Sequence, residues 1–441
     1  APLGRGTLLS ADARRGLALV EASEEPPANE YICLIPDEYV RPAPIPAAIT
    51  AVVGAMVDAP TQRTALTDLL LRRPPAMRGG APWSGAAADG AVGAETALAQ
   101  AVEAVASLDG SCLCVQGPPG TGKTYTAAHA IAALLADGRR VGVMANAHKA
   151  IVQLMEKAVR IAEEKGAGGS GGVAAVKVGG APAELPAALG LGAKGGAFGG
   201  VDVRHCKSAS GIEWASDVLL VGATAWGFSN EGFAGELDVL FVDEAGQVPL
   251  AHVVGASRAA RSLVLLGDQN QLAAPSEGNH PGEAGASCLE YLLQGAPCVP
   301  PSLGLFLPVT FRMHPALCAI VSEAVYEGRL AAHPSAARRA IALAPTAAGG
   351  ALPGGGGDGA AGVAYVEVSH EGNTRSAPEE AAAIATLCEQ LLASELVEEG
   401  GARRPLGWSD IVVVAPYNAQ VRAIAAALDP AARVGTVDRF Q

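Results

Sequence analysis

The chain has 441 residues, enough for two or three domains and a sizeable core. Half of them are hydrophobic, but the excess is Ala, Gly is abundant and aromatics make up only 4%, a balance that fits a soluble α/β protein with flexible inserts. The net charge of −13 argues against a generally basic nucleic-acid coat, though not against a local groove, and no apolar run approaches a membrane span.

No signal peptide is evident, although the chain begins with Ala1 rather than Met, which leaves a lost upstream segment open. Eight cysteines are scattered at Cys33, Cys112, Cys114, Cys206, Cys288, Cys298, Cys318 and Cys388 without a CxxC pair. Neither a zinc site nor a disulfide framework is indicated. The expected setting is reducing and intracellular, cytoplasm or nucleus. Residues 1–85 read as a structural lead-in: a strand pair at 30–40, an extended RPAPIP linker, and helical spacing over 49–71 that stops before Arg72-Arg73-Pro74-Pro75. No chemistry shows there.

Residues 96–108 predict a helix leading into the apolar strand 111–116. Gly117-Pro118-Pro119-Gly120-Thr121-Gly122-Lys123-Thr124 then fits G-x-x-x-x-G-K-[ST], and an Ala/Leu-rich helix follows. The glycines let backbone N–H groups curl around an anion, and the helix N-terminus adds its positive end. Lys123 can reach the outer phosphates and the Thr124 hydroxyl can ligate Mg²⁺. A chance glycine-rich turn is the bland alternative, but it has no reason to sit between a strand and a helix. The stretch predicts nucleoside triphosphate binding.

A second strand, 140–145, ends in Asn146, His148 and Lys149, small and basic residues at the ligand-facing edge of an α/β sheet that could contact a phosphate backbone. Residues 166–200 are glycine-rich and are expected to be a flexible insert. A third strand, 217–222, runs into Thr224, and a fourth, 238–243, delivers Asp243 and Glu244. After an apolar strand this pair makes the second half of an ATPase site: Asp243 can hold Mg²⁺ through water, and Glu244 can orient and deprotonate the attacking water. The fifth strand, 262–267, leads to Gln271, placed to sense a γ-phosphate. Together these strands predict one RecA-like parallel sheet over 86–301. A second, partial domain is expected over 302–441, with a flexible insert at 342–362, an alternating strand at 363–368, a helix at 378–397 and a buried strand at 410–416.

The motifs GPPGTGKT, ANAHKA, GATAW, VDEAGQ, GDQNQL, FRMHP, APYNAQ and VGTVDRFQ occur in the order of superfamily 1 helicases, and most resemble the Upf-like branch. The resemblance covers about residue 94 to the end and extends in wording to the helicase half of RecB-like nuclease–helicase fusions. It implies tandem RecA-like domains, ATP and Mg²⁺ as cofactors, single-stranded DNA or RNA as partner, 5′ to 3′ movement, and a nuclease domain upstream in the full-length protein. Residue by residue it makes Gln100 an adenine reader (an ordinary surface glutamine is the equal alternative) and Phe311 the ring that stacks on adenine. Gln271 becomes the sensor and Arg312 an arginine finger. Asn146, His148, Lys149, Thr224 and Thr436 become nucleic-acid contacts, with Tyr417 and Asn418 beside the same channel. In the family the last motif continues past Gln441, and a later one supplies a second arginine, so a truncated motor is expected. A nucleotide-binding module without motor activity is the alternative. A phosphate-loop kinase or GTPase would share only the first motif.

Overall fold

The computed structural model describes residues 6–12, 17–22, 43–85, 93–166, 173–180, 196–198, 201–212, 214–215, 217–273, 280–344, 361–398 and 400–440. The chain divides into two units, Ala1–Pro42 and Ala43–Gln441. In the first, β1 (Gly6–Asp12) pairs antiparallel with β2 (Leu17–Ala22). The strand pair expected at 30–40 and all but the ends of the insert 342–362 lie outside the described residues.

The second unit is built on a nine-stranded sheet. Its strands are β3 (Cys112–Gln116), β4 (Val141–Met144), β5 (Val173–Val178), β6 (Gly196–Phe198), β7 (Val201–Cys206), β8 (Val218–Ala223), β9 (Leu237–Val242), β10 (Ala260–Gly267) and β11 (Gly304–Phe306). They lie in the order β11-β3-β10-β9-β4-β8-β5-β7-β6, and every pairing is parallel except that of β6 with β7. Short apolar runs suit this arrangement, because helices cover both faces of a parallel sheet and no strand needs a polar side. Along β3, Cys112 and Cys114 enter one core while Leu113 and Val115 enter the other. The first core is closed by α1 (Pro44–Asp58) and α2 (Ala65–Leu70), which contribute Ile45, Leu66 and Leu69. The second is closed by α3 (Ala94–Ser107), α4 (Lys123–Ala136) and α5 (His148–Glu164). Shorter helices α6 (Ala225–Phe228), α7 (Leu250–Ala256) and α8 (Cys288–Leu293) complete the first face.

Three expectations change here. Residues 43–85 are not a mere lead-in: α1 and α2 bury side chains in the sheet's own core, and the buried Asp68 on α2 accepts from Arg63 and from Ser111 at the entrance to β3. The glycine-rich stretch 166–200 contains β5, whose residues 174–178 are buried between β8 and β7, because the short run VAAVKV finds partners on both sides. The sheet also continues past the expected division at 301/302, since β11 pairs with β3.

Beyond β11, the parallel pair β12 (Val309–Thr310) and β13 (Ala331–Ala332) brackets α9 (Pro315–Val325). A three-stranded antiparallel sheet joins β14 (Ala340–Ala342), β15 (Glu395–Val397) and β16 (Arg403–Pro405). Helices α10 (Pro378–Leu392) and α11 (Asn418–Ala427) pack with the parallel pair β17 (Val412–Val414) and β18 (Arg433–Gly435) around a small core of Ala381, Ala415, Ile424 and Val434. The strand expected to be buried at 410–416 is half-exposed, with Val412 at 43% and Val414 at 51%. Residues 363–368 form no strand, and Tyr365 is 85% exposed: alternation without a partner strand does not make a sheet.

Candidate active site

The parallel register brings Gln116, Gly267, Val242 and Met144 to one edge of the sheet, so the loops that follow them share that edge. The phosphate loop starts where Gly117 N–H donates to Gly267 O at 2.9 Å. A Cβ on Gly117 would meet the Lys123 and Thr121 side chains at 2.4 and 2.7 Å. Gly120 and Gly122 stand at φ +77° and +82°, the left-handed region that glycine enters without strain. Thr121 Oγ1 donates to Pro118 O at 2.8 Å and closes the turn, and Lys123 Nζ is held across the loop by Gly117 O at 2.7 Å. Gly122 caps α4 with no side-chain hydrogen bond, leaving the N–H groups of the first turn for an anion. Lys123 and Thr124 stand in that turn.

On the neighbouring strands, Asp243 is 4% exposed directly after β9, and Glu244 follows at φ +50° with its N–H on Asp243 Oδ1 at 3.0 Å. Burial, then the adjacent Glu244, raises the Asp243 carboxyl to about 6; the Lys123 charge opposes that rise. A buried acid disfavoured in its charged form is a fitting place for a cation. The open helix N-terminus and this acid therefore fit a triphosphate with Mg²⁺, with Thr124 and Asp243 as the residues that would hold the ion. Gln271, three residues past Asp268, donates its amide to Asp268 Oδ2 at 2.9 Å.

The segment after β11 lies directly on the phosphate loop. Thr310 Oγ1 donates to Pro119 O at 2.8 Å, and Phe311 N–H donates to Gly120 O at 2.9 Å. A Cβ on Gly120 would stand 2.2 Å from the Arg312 Cβ, so this approach requires glycine there. Arg312 is thus brought beside the loop. Phe311 remains 39% exposed and its ring tilts against His333 at 4.5 Å. Gln100 is half-buried on α3, which packs against α4.

The residues expected at the nucleic-acid channel are less uniform. Asn146 is tied by its amide to Gln247 O at 2.9 Å, linking the end of β4 to the Asp243–Glu244 turn. His148 Nδ1 lies 2.8 Å from Nζ of the buried Lys177 on β5, while Lys149 is exposed. Thr224 is the N-cap residue of α6 at the end of β8, on the same sheet. Thr436 directly follows β18, whose pairing with β17 is separate from the nine-stranded sheet. Sequence reasoning missed Thr310, Asp268 and Tyr326; the first two sit within or beside the motifs already read, but nothing local announced what they bond to. Among the described residues no helix is long and apolar enough to cross a membrane.

Comparison with known proteins agrees with this layout. Two AAA-domain models match residues 96–284 and 285–441. The DNA-binding protein SMUBP-2 of Mesocricetus auratus is 30% identical over 250 residues, which cover 52% of this chain and 23% of that protein. The Rattus norvegicus protein of the same name gives the same figures. The chain spans about a quarter of the length of these curated relatives, and half of it takes part in the match. A solved arterivirus nonstructural protein 10 (helicase) in complex with DNA is weakly similar, at 16% identity and a TM-score of 0.31 over 54% of this chain and 44% of that one. With consecutive AAA-domain matches over 96–441 and eight motifs in order, the chain belongs to the Upf-like branch of superfamily 1, the helicase family of tandem RecA-like P-loop proteins.

Proposed function

We propose that this chain is the motor portion of an ATP-dependent helicase or translocase that moves on single-stranded DNA or RNA, in the 5′ to 3′ direction that the family resemblance implies. The observation that carries the reading is the seating of the Thr310–Arg312 segment on the phosphate loop, with Asp243 and Glu244 on the same sheet edge. Kinases have no use for that second segment, whereas a motor needs hydrolysis sensed from a neighbouring module.

In this mechanism Lys123 and the N–H groups of the loop bind the outer phosphates, and Gln100 and Phe311 orient the base. Glu244 accepts the proton of the attacking water, and Gln271 and Arg312 respond to the γ-phosphate. When bound, Mg²⁺ supplies charge neutralisation for the phosphate oxygens, held by Thr124 and Asp243. The Asp243 carboxyl is buried, which strengthens every interaction with charge that develops there. The strand is proposed to cross the sheet edge by Asn146, His148, Lys149 and Thr224, with Thr436 on the second module. The SMUBP-2 relatives are named as DNA-binding proteins, which supports a nucleic-acid partner. The same resemblance carries the expectations of an intracellular setting and a nuclease domain upstream.

ATP turnover by the 441-residue chain, with and without single-stranded DNA or RNA, tests this reading. Stimulation by a strand is the expected result. Nucleotide binding without turnover would instead favour a nucleotide-binding module that lacks motor activity, and absence of binding would remove both readings.

A further inference from the structure

Asp268 directly follows β10 and is 3% exposed, yet its carboxylate is among the best-connected groups of the sheet edge. Oδ1 accepts from Gln116 Nε2 and from Asn270 N–H, each at 3.3 Å. Oδ2 accepts from Gln271 Nε2 at 2.9 Å and from the Tyr326 hydroxyl at 2.6 Å. Tyr326 is 2% exposed and is the C-cap residue of α9, the helix whose N-terminal end follows Arg312. Burial, then the hydrogen bond to Asp268, pushes its phenol up, so it stays a donor across the working range. One buried carboxylate therefore joins the sensor glutamine to the far end of the helix that begins beside the finger.

The geometry also fixes which way the sensor amide faces. Carboxylate oxygens accept and cannot donate, so Gln271 must turn its NH₂ toward Asp268 and uses one of its two N–H groups there. The second N–H is left for a phosphate oxygen. If Asp268 were free to rotate, that orientation would not be kept. Four hydrogen bonds restrain its rotation, and the one from Tyr326 is the shortest.

We propose that Tyr326 is a positioning residue for nucleotide sensing: its hydroxyl fixes Asp268, and through it the donor face of Gln271. The inference rests on the proposed ATP site and adds to it a residue 58 positions away from the carboxylate it controls. A purely structural hydroxyl would satisfy Asp268 and affect folding stability alone.

The test uses the full chain and fluorescent ADP against a non-hydrolysable triphosphate analogue, both with Mg²⁺, and reads the ratio of the two Kd values. Tyr326→Phe should reduce the preference for the triphosphate about five- to tenfold, the worth of one ordinary hydrogen bond. Gln271→Ala should reduce it similarly, and Tyr326→Phe in the Gln271→Ala background should add nothing. A normal ratio in Tyr326→Phe, or an equal further loss in the double variant, overturns the proposal. Asp268→Asn covers a Tyr326→Phe protein that does not fold: it can turn its own amide donor toward Gln271 and should lose the preference as well, whereas an unchanged ratio there also overturns it. Lys123→Ala separates the two levels. If it binds the triphosphate as well as the unaltered chain does, or if the unaltered chain binds neither nucleotide, the ATP site itself is wrong and the inference falls with it.

Discussion

The nine-stranded sheet and the α10–α11 module use similar raw material in different ways. In β3 all five residues are buried, and opposite faces enter opposite cores. In β17 the equally apolar VVV leaves Val412 and Val414 about half-exposed over a core of four small and medium side chains. The phosphate loop, the acid pair and Gln271, the proposed sensor, all follow strands of the deeply packed sheet, whereas the contact proposed for the second module, Thr436, follows a thinly covered strand pair. Rigid support thus coincides with the residues proposed for the chemistry, where catalysis by positioned charge requires placement to fractions of an ångström.

The sharpest way to separate the two regions is to remove chemistry without touching packing. Glu244→Gln should leave ATP binding intact and cut turnover about 10²–10⁴-fold, the usual contribution of a positioned base; a normal turnover would refute its role. Lys123→Ala should cost about 10²–10³-fold, comparable to losing one donor to developing charge. Neither should move the melting temperature by more than a few degrees. Packing can be probed next. Leu113→Ala opens a cavity in the core on one side of β3 and should cost about 2–5 kcal/mol by denaturant unfolding.

Titration offers a further contrast, confined to the sheet edge. Burial raises Asp243 from 3.8 to about 6, so the folded state holds its proton more tightly than the unfolded chain does. Its contribution to stability is therefore fully present below about pH 4 and disappears as pH rises through about 6; a shift of this size is on the order of 3 kcal/mol. Without Mg²⁺ or nucleotide, the difference in unfolding free energy between the natural chain and Asp243→Asn should shift toward the natural chain as pH falls from 8 to 5. A flat difference would show that the carboxyl is solvated. The smallest effect belongs to the second module: Val412→Ala should change stability by about 0.5 kcal/mol or less, the range of surface changes. A cost equal to that of Leu113→Ala would erase the contrast.

Much of the site was legible because its conformations are written in contiguous residues. Gly120 and Gly122 take the positive φ values that the loop needs, and Asp243–Glu244 follow an apolar run that becomes β9. What escaped reading depends on partners distant in sequence. The run at 173–178 is too short, and too closely flanked by glycine, to announce itself, and it becomes a strand because β7 and β8 flank it. Residues 363–368 alternate well and still lack a partner strand. The bond between Tyr326 and Asp268 has no local signature, since each residue explains itself in isolation as core tyrosine and turn aspartate. The covering of the first core by α1 and α2 was missed for the same reason.

The sulfur atoms of β3 give the sheet a built-in clock. Cys112 and Cys114 are buried, and burial lifts both thiols, Cys114 to about 12, so almost no thiolate is present at neutral pH. Cys206, at the end of β7, is only partly covered. Among the described cysteines an alkylating reagent should therefore modify Cys206 before the buried ones and reach Cys112 and Cys114 only when the sheet opens, which turns the slow labelling of those two residues into a count of opening events. Because β3 runs straight into the phosphate loop, a nucleotide that binds only the closed sheet should lengthen that slow phase by a factor of one plus the free nucleotide concentration divided by its Kd.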